Sequence, residues 1–155
     1  MPAQCLALLI CVQLVATVGC GRASRPVSLP DLSSIAKATA NLHGESLGHG
    51  DVIVKLDMEE IQKLLRAIGP AEHSRSQFAN KPIVTIELVL DDGKRQTIRI
   101  FDIGQNSLTF TLDDSWCVRS GIYERKNLLT GESTAFYPNE AMNVHNYLLS
   151  IHKSG

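Results

Sequence analysis

The chain has 155 residues, enough for one domain, and its 44% hydrophobic and 20% charged content is that of an ordinary globular protein. Fifteen basic against sixteen acidic side chains give a formal net charge of −1, so the basic stripe that nucleic-acid binding requires is missing and no nucleic-acid partner is expected. Aromatic residues make up 5% of the chain, which leaves few platforms for stacking on single strands.

The chain opens on an apolar block. From Cys5 to Cys20 it reads CLALLICVQLVATVGC, interrupted only by Gln13 and Thr17, and Gly21, Arg22 and a Ser/Pro-bearing stretch follow at once. About 15 apolar residues are too few for a permanent span, which needs roughly 20, so the block is expected to be an export signal. MPAQ ahead of it carries no Lys or Arg. Two cleavage sites compete. TVGC has a small residue, Gly19, before a cysteine at the end of the apolar block, the arrangement of a lipoprotein signal, although Thr17 stands where such signals usually have Leu. Cys20 is then the lipidation site and the first residue of the mature chain. The alternatives are ordinary cleavage near Ala23, giving a secreted soluble protein, and an uncleaved anchor.

Of four cysteines, Cys5 and Cys11 leave with the signal and Cys20 is acylated, so Cys117 is the remaining thiol. One thiol forms no internal bridge, and stability is expected to come from packing. The expected organisation is a signal peptide over 1–20, a flexible tether with a possible short helix over 21–50, and a globular domain over 51–155.

Within the tether, DLSSIAKATANLH (Asp31 to His43) has a loose helical period, and GESLGHG (Gly44 to Gly50) reads as a loop because three glycines in seven residues raise the entropy lost on ordering. Order is expected from DVIVKLD, a strand in which Val52, Val54 and Leu56 alternate with Ile53 and Lys55. A helix follows: Asp57 caps it, Glu60 returns the bond, Ile61, Leu64, Leu65 and Ile68 form its stripe, and Gly69-Pro70 end it. PIVTIELVL and KRQTIRIFDI form a hairpin through Asp91-Asp92-Gly93. With glycine in the left-handed position, this three-residue loop sets Ile86 opposite Ile98 and Val84 opposite Ile100, whereas a two-residue loop mismatches them. SLTFTL is a half-buried third strand, Asp113-Asp114 turn the chain, and SWCVRSGIY supplies a fourth with Trp116 and Val118 on one face and Cys117 and Arg119 on the other.

ERKNLLTGEST reads as a long loop or ragged hairpin, a natural contact region. A final helix is capped by Asn139 and carries Ala141, Val144, Leu148 and Ile151 on one stripe. The order is strand, helix, four-strand meander, helix. This predicts an α+β fold with an antiparallel sheet and two helices packed on one face.

Several groupings suggest chemistry. Gly44-Glu45-Ser46-Leu47-Gly48 matches the letters of a hydrolase nucleophile elbow, but that elbow sits between a strand and a following helix, and here a strand follows. His43, Glu45, His49 and Asp51 place four metal-binding side chains within nine residues, on a glycine-rich frame ill suited to fixing tetrahedral angles. Cys117 with His145 and His152 offers a thiol and a base, though nothing in the sequence brings them together, and a buried structural cysteine is the simpler reading. Glu87 and Asp102 interrupt apolar strands, Glu87 on the face turned to solvent. Trp116 is expected in the core or at the rim of a binding face. No catalytic, cofactor-binding or metal-ligating residue is assigned.

The succession DMEEIQKLLRAIGPA, IVTIELVLDDGKRQTIRI and YPNEAMNVHNYLLSI resembles small bacterial lipoprotein domains of the YhfM-like kind, which have a capped helix, a hairpin turning on DGK, and a closing helix after a polar cap. The resemblance covers roughly Asp51 to Ile151, and the segment SGIYERKNLLTGEST departs from it. It implies no catalytic activity. The expected function is therefore a non-enzymatic lipoprotein, exported and tethered to a membrane of the cell envelope through Cys20, whose sheet face or long loop contacts a protein or small ligand. The alternatives are a secreted hydrolase or metal-dependent enzyme using Gly44 to Asp51, and an inhibitor or immunity-type protein binder.

Overall fold

The computed structural model describes residues 25–45, 47–103, 107–119, 129 and 139–154. Its fold is α+β: one seven-stranded antiparallel sheet with two helices on one face. The strands are β1 (Ile35–Leu42), β2 (Val52–Leu56), β3 (Glu72–His73), β4 (Val84–Leu90), β5 (Arg95–Phe101), β6 (Leu108–Leu112) and β7 (Ser115–Arg119), in the spatial order β2-β1-β4-β5-β6-β7-β3. The helices are α1 (Met58–Ile68) and α2 (Glu140–Ser154). Among the described residues no helix is long and apolar enough to cross a membrane.

The β4–β5 hairpin has the register that matches apolar to apolar, Val84 opposite Ile100 and Ile86 opposite Ile98. Gly93, at φ +82°, closes its three-residue turn. The two-residue β6–β7 turn places both Asp113 (φ 48°) and Asp114 (φ 75°) in the left-handed region, where aspartate is tolerated better than branched residues. α1 begins at a complete capping box: the Glu60 N–H donates to Asp57 Oδ1 at 2.8 Å and the Asp57 N–H donates to Glu60 Oε2 at 2.7 Å. α2 begins at Asn139, whose Oδ1 accepts from the Met142 N–H at 3.2 Å.

The core lies between the sheet and the helices. Ala38, Ala40, Leu42, Val54, Leu56, Val84, Ile86, Leu88, Ile98, Ile100 and Phe110 alternate inward along their strands and meet Ile61, Leu64 and Ile68 of α1 and Ala141, Val144 and Leu148 of α2. β7 turns Cys117 and Arg119 to this side. The Arg119 guanidinium donates to the Ala67 carbonyl at 2.7 Å and so caps the last turn of α1 from the sheet. Glu140, also buried, lies beside it; burial pushes the Glu140 carboxyl up and the Arg119 charge draws it back. On the opposite face Trp116 packs between Phe101 and Phe78, with ring centroids 4.8 and 5.6 Å away.

The structure corrects four expectations. Residues 25–50, expected as tether, are built into the domain. Val27 and Arg25 hydrogen-bond along Ala71 and His73, and Val27, Leu29 and Leu32 pack on the core. AKATAN, expected as a possible helix, lies in β1, paired on both sides by β2 and β4. The globular unit therefore starts at or before Arg25 and not at Asp51. The sheet also gains a two-residue edge strand, β3, giving seven strands where five were expected. β6, expected to be half-buried, is buried on both faces: Thr109 and Thr111 are covered as well as Leu108 and Phe110.

A cleft at the ends of four strands

The C-terminal ends of β1 and β5 and the N-terminal ends of β2 and β4 meet at one end of the sheet. They surround a cleft of about 770 Å³ lined by His43, Glu45, Leu47, Asp51, Asn80, Lys81, Pro82, Ile83 and Asp102. Leu47, Pro82 and Ile83 give it apolar surface, and the charged side chains stand around them.

The β1–β2 loop, residues 43–51, supplies one wall. It is closed on itself: the N–H groups of Leu47 and His49 both donate to the Gly44 carbonyl, at 2.9 and 3.2 Å, and the Gly44 N–H donates to Asp51 Oδ1 at 3.2 Å. A Cβ on Gly44 would collide with the His49 carbonyl and ring. Glycine is thus demanded at position 44 by a close approach of backbone, and the loop has a defined path in place of the loose one its composition suggests.

Contacts from outside hold the loop at three points. His43 Nε2 lies 2.8 Å from Thr85 Oγ1 on β4, and its Nδ1 lies 3.5 Å from Asp51 Oδ2. Lys81 Nζ donates to Glu45 Oε2 at 3.2 Å, a pair so exposed that it contributes little to stability. On the other side His49 Nε2 lies 3.2 Å from His145 Nε2 on α2, the rings stacked with centroids 5.2 Å apart. His145 is 2% exposed, and burial, together with the neighbouring His49, pulls its pKa below the usual histidine range. Across the cleft Asp102 Oδ1 accepts from Asn139 Nδ2 at 3.0 Å, so the residue that caps α2 also positions a cleft carboxylate.

These positions separate the groupings seen in the sequence. His43 and Asp51 meet, whereas His49 turns away to α2, and among the described residues no three His, Cys, Asp or Glu side chains converge as a metal site. His145 faces His49. The Cys117 Sγ–H donates to the Ser115 carbonyl at 3.2 Å, and burial pushes the thiol up, away from the thiolate a nucleophile needs. Glu87 is on the exposed face, as its alternation requires. Ser46 and Cys20 lie outside the described residues, as does most of the segment after Arg119. The cleft itself has no sequence signal: Asn80, Lys81 and Asp102 come from loops that only the sheet order brings beside His43.

No family model matches this chain, and neither a curated protein nor a solved structure does.

Proposed function

We propose that the chain is an exported lipoprotein, held in a cell-envelope membrane through a lipidated Cys20, and that its α+β body is a non-enzymatic module that binds a small ligand in the cleft. The cleft carries this reading. About 770 Å³ lies within the usual range for small-molecule sites, and apolar surface ringed by a few fixed polar groups is their usual lining. Three carboxylates, Glu45, Asp51 and Asp102, stand around it against one lysine, Lys81. That balance favours a ligand with an ammonium or other donor group at one end and an apolar body.

The anchor reading agrees with where the body begins. Arg25 already pairs with His73 at the β3 edge, and five residues from Cys20 reach at most about 18 Å. The β3 edge is thus kept close to the bilayer. β4 lies four strands away from that edge, on the order of 20 Å at the usual strand spacing.

Two measurements test the reading. Cys20→Ala is expected to move the protein from the membrane fraction to the soluble envelope fraction or the medium, because acyl chains supply about 0.8 kcal/mol per buried methylene; unchanged membrane retention rejects the anchor. A thermal-shift panel of small amines, zwitterions and carboxylic acids is expected to give stabilisation by amine-bearing compounds, lost in Asp51→Asn. Stabilisation by none of them, or equal stabilisation of the variant, rejects the cleft as the site.

A further inference from the structure

The β1–β2 loop forms one wall of the cleft through Glu45, Leu47 and Asp51, and a side-chain contact fastens its far side to α2: His49 Nε2 to His145 Nε2, 3.2 Å. The proton positions in this pair follow from the partners. His49 Nδ1 lies 2.7 Å from the Gly50 carbonyl, which can only accept, so Nδ1 carries a hydrogen and the neutral ring has its lone pair on Nε2. His145 Nε2 is then the donor to His49. The other nitrogen, His145 Nδ1, lies 3.3 Å from Asn146 Oδ1, and the Asn146 amide can serve it as donor or acceptor by turning over. A first added proton is therefore accommodated at His145 Nδ1 with the inter-ring bond intact. A second has one place to go, His49 Nε2, and there it sets N–H against N–H between two positive rings.

We propose that the His49–His145 pair is a proton-operated latch: it holds the β1–β2 loop against α2 at neutral pH and releases it in acid, opening one wall of the cleft. This deepens the reading of the cleft as a ligand site and rests on it.

Among the described residues no carboxylate is in hydrogen-bond contact with either ring. Elements packed against α2 present apolar side chains to it: Ala38, Ala40 and Leu42 from β1, Val54 and Leu56 from β2, and Leu108 and Phe110 from β6. From α1 and its cap, Lys63 and the carboxylates Glu60, Asp57 and Glu59 act on Tyr147, which stands two residues from His145 and so about 200° around the helix from it. On α2 itself Glu140 is engaged by Arg119, and His152 and Lys153 stand at the far end. In the loop Asp51 is paired with His43, and Glu45 with Lys81. The sign follows from burial. His145 in the closed form resists protonation relative to an exposed imidazole, so the open form binds more protons below about pH 6.5, and the closed form is fully favoured above that and loses ground as pH falls.

Amide hydrogen exchange on protein expressed from the full chain tests this. The Leu47 and His49 amides, both bonded to the Gly44 carbonyl, report the closed loop; the Gly93 amide, bonded to Leu90, is the control. With intrinsic exchange divided out, protection of Leu47 and His49 should fall between pH 7.5 and 5, approaching about tenfold per pH unit once each opening takes up one proton, while Gly93 stays level. His49→Gln, neutral throughout, and His49→Phe, which keeps the stack without a nitrogen, should both flatten the profile. A flat wild-type profile, or the same slope in both variants, overturns the latch. The exchange needs no ligand. A flat loop beside amine stabilisation therefore removes the latch alone, whereas a titrating loop with no stabilising compound supports the latch and removes the site reading.

Discussion

Two connections in this sheet join neighbouring antiparallel strands by opposite means. The β4–β5 turn is held mainly within five residues: the Leu90 N–H donates to the Lys94 carbonyl at 2.8 Å, the Gly93 N–H to the Leu90 carbonyl at 2.9 Å, and the Lys94 N–H to Asp92 Oδ1 at 2.9 Å. The β1–β2 loop also bonds internally, but it is fastened from elsewhere, by Thr85 of β4, Lys81 before it and His145 of α2. The β4–β5 turn takes one bond from outside, the Asp91 N–H to the Ser34 carbonyl at 2.9 Å, and that bond joins two backbone groups that do not titrate. A loop fixed by distant side chains takes its shape from tertiary packing and from their protonation, and such segments open at lower free energy than the elements they join. The adjustable connection is the one that walls the cleft.

The largest effect that would sharpen this contrast comes from adding one methyl group to each connection. Gly44→Ala places its Cβ against the His49 backbone, where no rotamer change relieves it, so the loop must come apart; about 3 kcal/mol of destabilisation is expected. Gly93→Ala meets nothing within 4 Å and suffers only from the left-handed backbone, costing about 1 kcal/mol. Denaturant midpoints of the two variants, at unchanged slope, make the comparison. Equal losses would mean that the β1–β2 loop is no more closely packed than the exposed turn.

The same contrast explains what could be read without coordinates. α1, the β4–β5 register and the Asn139 cap rest on signals a few residues apart, and each was legible. β1 was not, because alanine is the best helix former and AKATAN mimics a helical period. Its real pattern is the alternation of Ala38, Ala40 and Leu42 with Lys37, Thr39 and Asn41. The alanines, 2% and 0% exposed, are small in a strand on which α2 packs. β3 has two residues and exists only because β7 lies beside it. The cleft residues and the His49–His145 contact, 96 positions apart, are products of sheet order. What the sequence did offer was the crowding of His43, Glu45, His49 and Asp51, of which His43, Glu45 and Asp51 line the cleft while His49 turns to α2, so that among the described residues they do not converge on a metal.

The smallest expected difference lies in single side-chain anchors. Thr85→Val removes the hydroxyl that meets His43 Nε2 while keeping the β-branched shape that suits β4. The partly buried imidazole is left without that partner, and about 1 kcal/mol should be lost. Asp92→Ala removes an anchor that is equally close, 2.9 Å from the Lys94 N–H. Its carboxyl is held below the usual aspartate range mainly by the Lys94 ammonium, but the site is open to water, which replaces both contacts. Asp92→Ala should therefore shift the midpoint less than Thr85→Val. Amide exchange adds a second criterion: Thr85→Val should raise exchange at Leu47 and His49, residues it does not touch, whereas Asp92→Ala should act on its own turn alone. If Thr85→Val left those two amides unchanged, the loop would be holding its shape by internal bonds, and the distinction between the two connections would collapse to one of length.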